Sequence, residues 1–310
     1  MRFVATRIIK FVILRGLFKN SLNSRYNKFN YKTQELFHSV FAKIFKQNEV
    51  GNGNRVWRVE FMNKQLDIPL KKNSLSLDWD IALSVLGHES DIKITYETLL
   101  RSSTPPRCFF DIGANYGTHT LLFRSAGVES VAFEPNPSCI SYFEKLSEFN
   151  DLSTAVEKVA LGETTATAEL LFPVSSTSLG TLRNSVKENF NKSEELKAIQ
   201  VDVITIDSYV LEKNKIPELI KIDTEGYELK VLRGASTTIR DHKPLVIFES
   251  DNEEERNGLW KIFSEFDYQI CPIPIVPDKP VNVLMEEDFL QKKDGNFIAI
   301  PLEHSLLQKN

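Results

Sequence analysis

Along the chain, short apolar runs alternate with stretches whose apolar positions recur at helical spacing. The alternation is most regular from Arg107 onward. Cys108–Ile112 is apolar and is followed by a glycine-rich turn and a helical stretch, Thr118–Ala126. Ser130–Phe133 comes next, then the turn Glu134-Pro135-Asn136-Pro137 and a helical stretch, Ser138–Glu148. Thr154–Ala160, Ala168–Pro173 and Val201–Thr205 read as strands, and Leu219–Ile222 is apolar apart from Lys221. Tyr227–Leu232 is helical and ends near Gly234, Leu245–Phe248 is a strand and Leu259–Phe266 is a helix. Tyr268–Cys271 and Phe297–Ile300 are the last strands. Apolar strands separated by helices predict an α/β fold, Rossmann-like, with a mostly parallel sheet covered by helices on both faces.

Upstream of Arg107 the rhythm differs. Leu36, Val40, Phe41, Ile44 and Phe45 stand near helical spacing, and Gly51–Asn54 is a turn or linker. Arg55–Met62 suits a strand that pairs with Gln65–Leu70 through an Asn63-Lys64 turn. Helical patterns follow at Asp80–Leu86 and Asp91–Leu100, and Pro105-Pro106 closes the region. Three parts are expected: an appendage over 1–34, a small α+β cap over 35–104, and the main domain over 105–310. The polar stretch Ser175–Lys197 is a long loop, and loops of that length in a compact domain tend to be functional. With the cap and His88-Glu89, it is expected to close over a substrate.

Composition adds little beyond the appendage. The 310 residues are 42% hydrophobic and 26% charged, an ordinary globular balance, and the net charge of −4 gives no reason to expect nucleic acid as a partner. Cys108, Cys139 and Cys271 are odd in number and far apart, which suits free thiols in a reducing, cytoplasmic setting rather than disulfides or a zinc site. Residues 1–34 contain no acid but carry Arg2, Arg7, Lys10, Arg15, Lys19, Arg25, Lys28 and Lys32 among apolar residues. Such a segment suits an organelle presequence, a peripheral membrane contact or a soluble basic helix. Helical spacing mixes Arg7 and Arg15 with Phe11, Leu14 and Phe18, which favours the soluble helix.

The chemistry concentrates at the first two strand ends. The first strand runs into Asp111-Ile112-Gly113-Ala114-Asn115-Tyr116-Gly117, where the glycines permit a tight turn and the following helix offers free N–H groups. The second ends at Glu134, twenty-three residues after Asp111, where a carboxylate suits a ribose diol. A nicotinamide dinucleotide and S-adenosylmethionine both carry that diol. The glycines here are spaced G-x-x-x-G rather than G-x-G-x-x-G, and Asp111 stands just before them. An acid is awkward beside a pyrophosphate and favourable beside the ammonium and sulfonium of S-adenosylmethionine.

These residues carry a family resemblance. Phe110–Gly117, Phe133–Pro137, Lys221-Ile222-Asp223-Thr224-Glu225-Gly226-Tyr227-Glu228 and Val231–Ala235 together resemble the FkbM family of methyltransferases, over about Thr104 to Ser250. The resemblance implies a class I methyltransferase fold, S-adenosylmethionine as methyl donor, and an acceptor hydroxyl, often on a sugar or natural product. It carries Asp111, Gly113, Asn115, Gly117 and Glu134 over as cofactor contacts, with Ala114 and Pro135 in the same turns. Ala160 and Leu161, with Gly162, fall where such enzymes touch the adenine.

Methylating an alcohol also requires a proton acceptor. The fourth strand runs into Asp223 and Glu225, and the fifth into Glu249, so these acids gather at the sheet edge where ligands bind. His119, beside the glycine turn, is a fourth candidate. Each has a plainer role: Asp223 on the cofactor's amino group, Glu225 as a helix cap, Glu249 on the surface, His119 in packing. Lys221 is out of place in a buried strand and lies on the same side as Asp223, which predicts an ion pair. The three acids are types that bind hard cations, but no complete shell is visible and no resident metal is expected. Two other readings stay open: a nicotinamide-dependent oxidoreductase, and a non-catalytic scaffold that uses its basic start to bind a membrane or partner.

Overall fold

The computed structural model describes residues 25–37, 55–70, 77, 78, 81, 89–153, 155–173, 180, 182, 195–250, 253–292 and 295–307. Most of the basic appendage, the Gly51–Asn54 turn, most of the Asp80–Leu86 helix, His88 and nearly all of the Ser175–Lys197 loop lie outside these residues.

Seven strands form the central sheet. They are β3 (Cys108–Ile112), β4 (Glu129–Phe133), β5 (Ala155–Glu157), β9 (Leu219–Ile222), β10 (Leu245–Ser250), β11 (Tyr268–Pro272) and β12 (Gly295–Pro301), in the order β11-β12-β10-β9-β3-β4-β5. Strands β5, β4, β3, β9 and β10 run parallel, and β12 is antiparallel to both neighbours. The expected doubly wound sheet is therefore present, with one reversed strand near an edge. The order reverses beside β3, where β4 follows on one side and β9 is inserted on the other. That switch point opens a crevice at the carboxyl ends of the strands.

The strand period of two sorts the core. In β3, Phe109 belongs to one face, with Ala132, Leu219, Ile247 and Ile298. Phe110 and Ile112 belong to the other, with Val131, Phe133, Ile220, Ile222, Val246 and Phe248. Helices α1 (Ser90–Leu100), α2 (Thr118–Ser125) and α3 (Pro137–Phe149) cover the first face, together with the hairpin β1 (Arg55–Phe61) and β2 (Lys64–Leu70). The second face is covered by α4 (Ile206–Lys213), α5 (Glu228–Arg233), α6 (Ser236–His242), α7 (Glu253–Glu265) and α8 (Glu286–Gln291). The hairpin turn uses Met62 and Asn63, both at positive φ (48° and 64°), the backbone form that matches the twist of paired strands. Asn150 ties the hairpin to the end of α3: Asp67 N donates to its Oδ1 at 2.7 Å, and its Nδ2 donates to Asp67 O at 2.9 Å.

Two expectations needed correction, and three helices were not foreseen. The turn expected at Asn63-Lys64 falls one residue earlier, at Met62-Asn63, with Lys64 paired to Phe61. Thr154–Ala160 is not one strand. Three residues join the central sheet as β5, then β6 (Ala160–Leu161) pairs with β8 (Leu196–Ile204) in a separate sheet that also holds β7 (Ala166–Pro173). Helices α4, α6 and α8 left no clear period because they are short and bury few side chains: Ile206 and Tyr209 in α4, Thr238 and Ile239 in α6, and Phe289 in α8. Local bonds start α4 instead, through a capping box between Thr205 and Ser208.

Candidate active site

The glycine turn after β3 is held from two sides. Gly113 and Ala114 both donate to Phe133 O, at 3.0 and 3.1 Å. Gly113 has φ +73°, and a Cβ there would lie 1.8 Å from Asp223 O, so only glycine lets β3 and β9 finish this close together. Asn115 is also left-handed, at φ 54°. Gly117 abuts the Phe143 ring, where a Cβ would lie 2.1 Å away. Ala114 is buried in the core and serves packing.

Glu134 bridges the two turns. Its Oε2 accepts from Asn115 N at 2.8 Å and its Oε1 from Asn136 N at 2.7 Å. Burial raises its pKa to about 7, against the lowering effect of these two N–H groups. Pro135 is half-buried in this turn, and Asn136 caps α3 by accepting from Ser138 N at 3.0 Å. Glu134 N donates to Glu157 O, so the chain leading to Ala160 and Leu161 passes beside it. The side chains of Ala160 and Leu161 themselves lie in apolar cores.

Asp111 is fully buried. Its Oδ2 accepts from Thr120 N at 3.0 Å and Thr120 Oγ1 at 2.6 Å, which fastens the first turn of α2 to β3. Among the described residues its Oδ1 has no hydrogen-bond partner.

Asp111 is level with Lys221 across the sheet, and Lys221 is level with Ile247. Lys221 Nζ donates to Asp223 Oδ2 at 2.7 Å, which is the ion pair expected from the sequence. Burial opposes the Lys221 charge, but Asp223, Glu89 and Asp111 outweigh it and hold its pKa above the usual lysine range. Glu249 sits one residue beyond the Phe248–Ile222 pair and is half-buried, level with Asn296 of β12. It therefore shares the face and the edge of Asp223. Glu225 is exposed at φ 53°. Glu228 organises the same turn. Glu228 Oε1 accepts from Thr224 N (2.8 Å), Thr224 Oγ1 (2.8 Å) and Gly226 N (3.2 Å).

His119 is buried with both ring nitrogens engaged: Nδ1 lies 3.0 Å from the Tyr96 hydroxyl and Nε2 lies 3.2 Å from Glu89 Oε2. Burial, then the Lys221 charge, lowers its pKa against the pull of Glu89, so the ring is neutral near pH 7. A carboxylate only accepts, so Nε2 carries the hydrogen and Nδ1 accepts from Tyr96. Glu89 Oε1 also accepts from Asn296 Nδ2 at 3.5 Å. Glu89, Tyr96, Thr120 and Asn296 thus join the site. They come from α1 with its N-cap, α2 and β12; Glu89 and Tyr96 stand seven residues apart along one helix, and no local pattern links that helix to Thr120 or Asn296. The only local signal was Glu89, at the start of a helical period.

Among the described residues no group of three or more His, Cys, Asp or Glu could hold a metal ion, and no helix is long and apolar enough to cross a membrane.

The doubly wound sheet, with the glycine turn after β3 and Glu134 just beyond β4, has the class I, Rossmann-like methyltransferase fold. Residues 111–270 match the Methyltransferase FkbM domain, and the chain belongs to that family. It is 28% identical to the hexuronic acid methyltransferase AglP of Haloferax volcanii, over 54% of this chain and 65% of that protein. It is 31% identical to Methyltransferase 1 of Beauveria bassiana, over 40% of this chain and 56% of that protein. The chain thus spans less than two thirds of either relative. A crystal structure of methyltransferase FkbM from Methylobacillus flagellatus is similar at 17% identity and a TM-score of 0.41, covering 88% of this chain and 62% of that one.

Proposed function

We propose that the chain is an S-adenosylmethionine-dependent methyltransferase acting on a hydroxyl of a saccharide or small natural product. The observation that carries this reading is Glu134. Each of its oxygens accepts one backbone N–H and keeps a lone pair for a further donor, which fits the two O–H groups of a ribose diol. The turn from Gly113 to Gly117 would hold the adenosine end with Glu134, and Asp111 supports that turn through Thr120. Ala160 and Leu161 would border the adenine through their backbone.

Bound there, S-adenosylmethionine supplies an electrophilic methyl group on a sulfonium. Asp223 ends β9 at the switch point, its side chain is about a quarter exposed, and Lys221 fixes its position. It would take the acceptor's hydroxyl proton as general base. Glu249, on the same edge, would orient the acceptor. The name of the archaeal relative supports a saccharide, and hexuronic acid glycans are the first acceptors to try. A cytoplasmic location is part of this reading, with residues 1–34 as a soluble basic helix and peripheral membrane contact as its less favoured alternative.

The test is thermal unfolding with S-adenosylmethionine, S-adenosylhomocysteine or NAD. Ligand at ~100 times its dissociation constant stabilises the native state by ~2.7 kcal/mol. A melting shift with both sulfur compounds and none with NAD is expected. A shift with NAD alone would replace the reading with an oxidoreductase, and no shift with any ligand would leave a scaffold.

A further inference from the structure

We infer that Glu89 binds the ammonium group at the amino-acid end of the methyl donor, and that His119 positions it for this task. The inference rests on the proposed function and adds a residue from outside the matched family segment.

Three observations converge. The first is backbone geometry. Glu89 precedes α1 at φ 50° and ψ 54°, a left-handed form unusual for a residue with a side chain, and its side chain makes no cap bond to the helix. An acid at this position ordinarily turns back onto the free N–H groups of the first turn. Glu89 instead reaches the sheet edge, where Nε2 of His119 and Nδ2 of Asn296 each hold one oxygen. A left-handed backbone that turns a side chain away from its own helix and onto the sheet edge points to a functional demand.

The second is charge. Glu89, Asp111 and Asp223 act on Lys221, while Glu89 and Glu35 act on Lys93. Among the described residues, Glu89, Asp111, Asp223 and Glu35 thus act on Lys221 and Lys93, and neutral His119 adds no charge. His119, Lys221 and Lys93 keep Glu89 ionised against its burial. A cation brought to this edge would meet Glu89, Asp111 and Asp223 together. The third is the buried Asp111 Oδ1, without a partner among the described residues and level with Lys221 in this same cluster.

The ligand's chemistry follows. A primary ammonium offers three N–H donors and a full charge, which suits a carboxylate that is already ionised. Neutral His119 cannot compete for that charge, and by donating Nε2–H it leaves Glu89 with free lone pairs.

The experiment is calorimetric titration of the full chain with three probes. S-adenosylmethionine and S-adenosylhomocysteine carry the ammonium, and 5′-methylthioadenosine lacks it while keeping the adenosine and its diol. Glu89→Gln is expected to weaken the first two by roughly 10- to 100-fold, the range for losing a charge-assisted hydrogen bond, and to leave 5′-methylthioadenosine unchanged. His119→Gln should give the same selective loss in smaller measure, which a merely structural role would not produce. If Glu89→Gln does not fold, Glu89→Asp, which keeps the charge and shortens the reach, carries the same comparison. Equal losses for all three probes, or none, would overturn the inference while leaving the methyl-donor reading standing. If the wild-type chain binds none of the three, that reading falls, and the role of Glu89 falls with it.

Discussion

At the scale of single residues, Glu134 would couple the proposed methyl donor to a proton. Its pKa near 7 lies above the ordinary 4.5, so the native state holds a proton that the unfolded chain releases. That contribution to stability is complete below about pH 4.5 and is lost as the pH rises to about 7. A ribose diol donates to the ionised carboxylate, so the donor should bind with proton release. Its affinity is expected to fall close to tenfold per pH unit below 7 and to level off above. Titration in buffers of different ionisation heat checks this, and Glu134→Gln should flatten the profile while weakening binding. Gly113 makes a steric prediction. With a Cβ 1.8 Å from a backbone oxygen, Gly113→Ala must push β3 and β9 apart at the crevice. The left-handed backbone alone costs about 1–2 kcal/mol, and the displaced edge should abolish the melting shift given by S-adenosylhomocysteine.

At the scale of elements, the sheet was legible and its polar edge only partly so. Strands β3, β4, β9 and β10 are short apolar runs because both their faces are covered, and that pattern depends on neither partner nor ligand. Lys221 stood out because it broke the pattern, and the same break gave its pair with Asp223. Glu228 was harder to see. It sits four residues past Thr224, and nothing in the local spacing says that its carboxylate folds back to hold Thr224 and Gly226 rather than facing solvent. Glu89 and Tyr96 share one helix, but they meet His119 and Asn296 only through tertiary packing. Two substitutions separate the roles at this edge. Asp223→Asn keeps the shape and should lower kcat by about 100-fold or more while changing cofactor affinity little, as expected for a general base. Lys221→Ala should instead cost about 3 kcal/mol of stability, read from urea unfolding, because it removes one partner of a largely buried pair. Equal turnover in Asp223→Asn and wild type would pass the proton to Glu249.

At the scale of the whole molecule, the question is whether the amino-terminal cap folds with the central sheet or beside it. The sequence showed a change of rhythm near Pro105-Pro106, which reads as a boundary. Packing runs straight across it. Trp57, Phe61 and Ile68 of the hairpin share one continuous core with Tyr96, Phe109, Leu121 and Phe123, and Asn150 clamps the hairpin to α3. The same face carries Glu89, so cap and site should melt together. Trp57 is fully buried and meets the Tyr26 ring edge-on at 5.6 Å between centroids. Trp57→Ala is expected to cost ~3–5 kcal/mol, and at ~2–4 °C per kcal/mol for a chain of this class the melting temperature should drop by roughly 6–20 °C. One transition, shifted as a whole and still sensitive to S-adenosylhomocysteine, is the signature of a shared core. An early transition that unfolds the hairpin while cofactor binding survives would make the cap a separate unit, and would place Glu89 on an element able to leave the site.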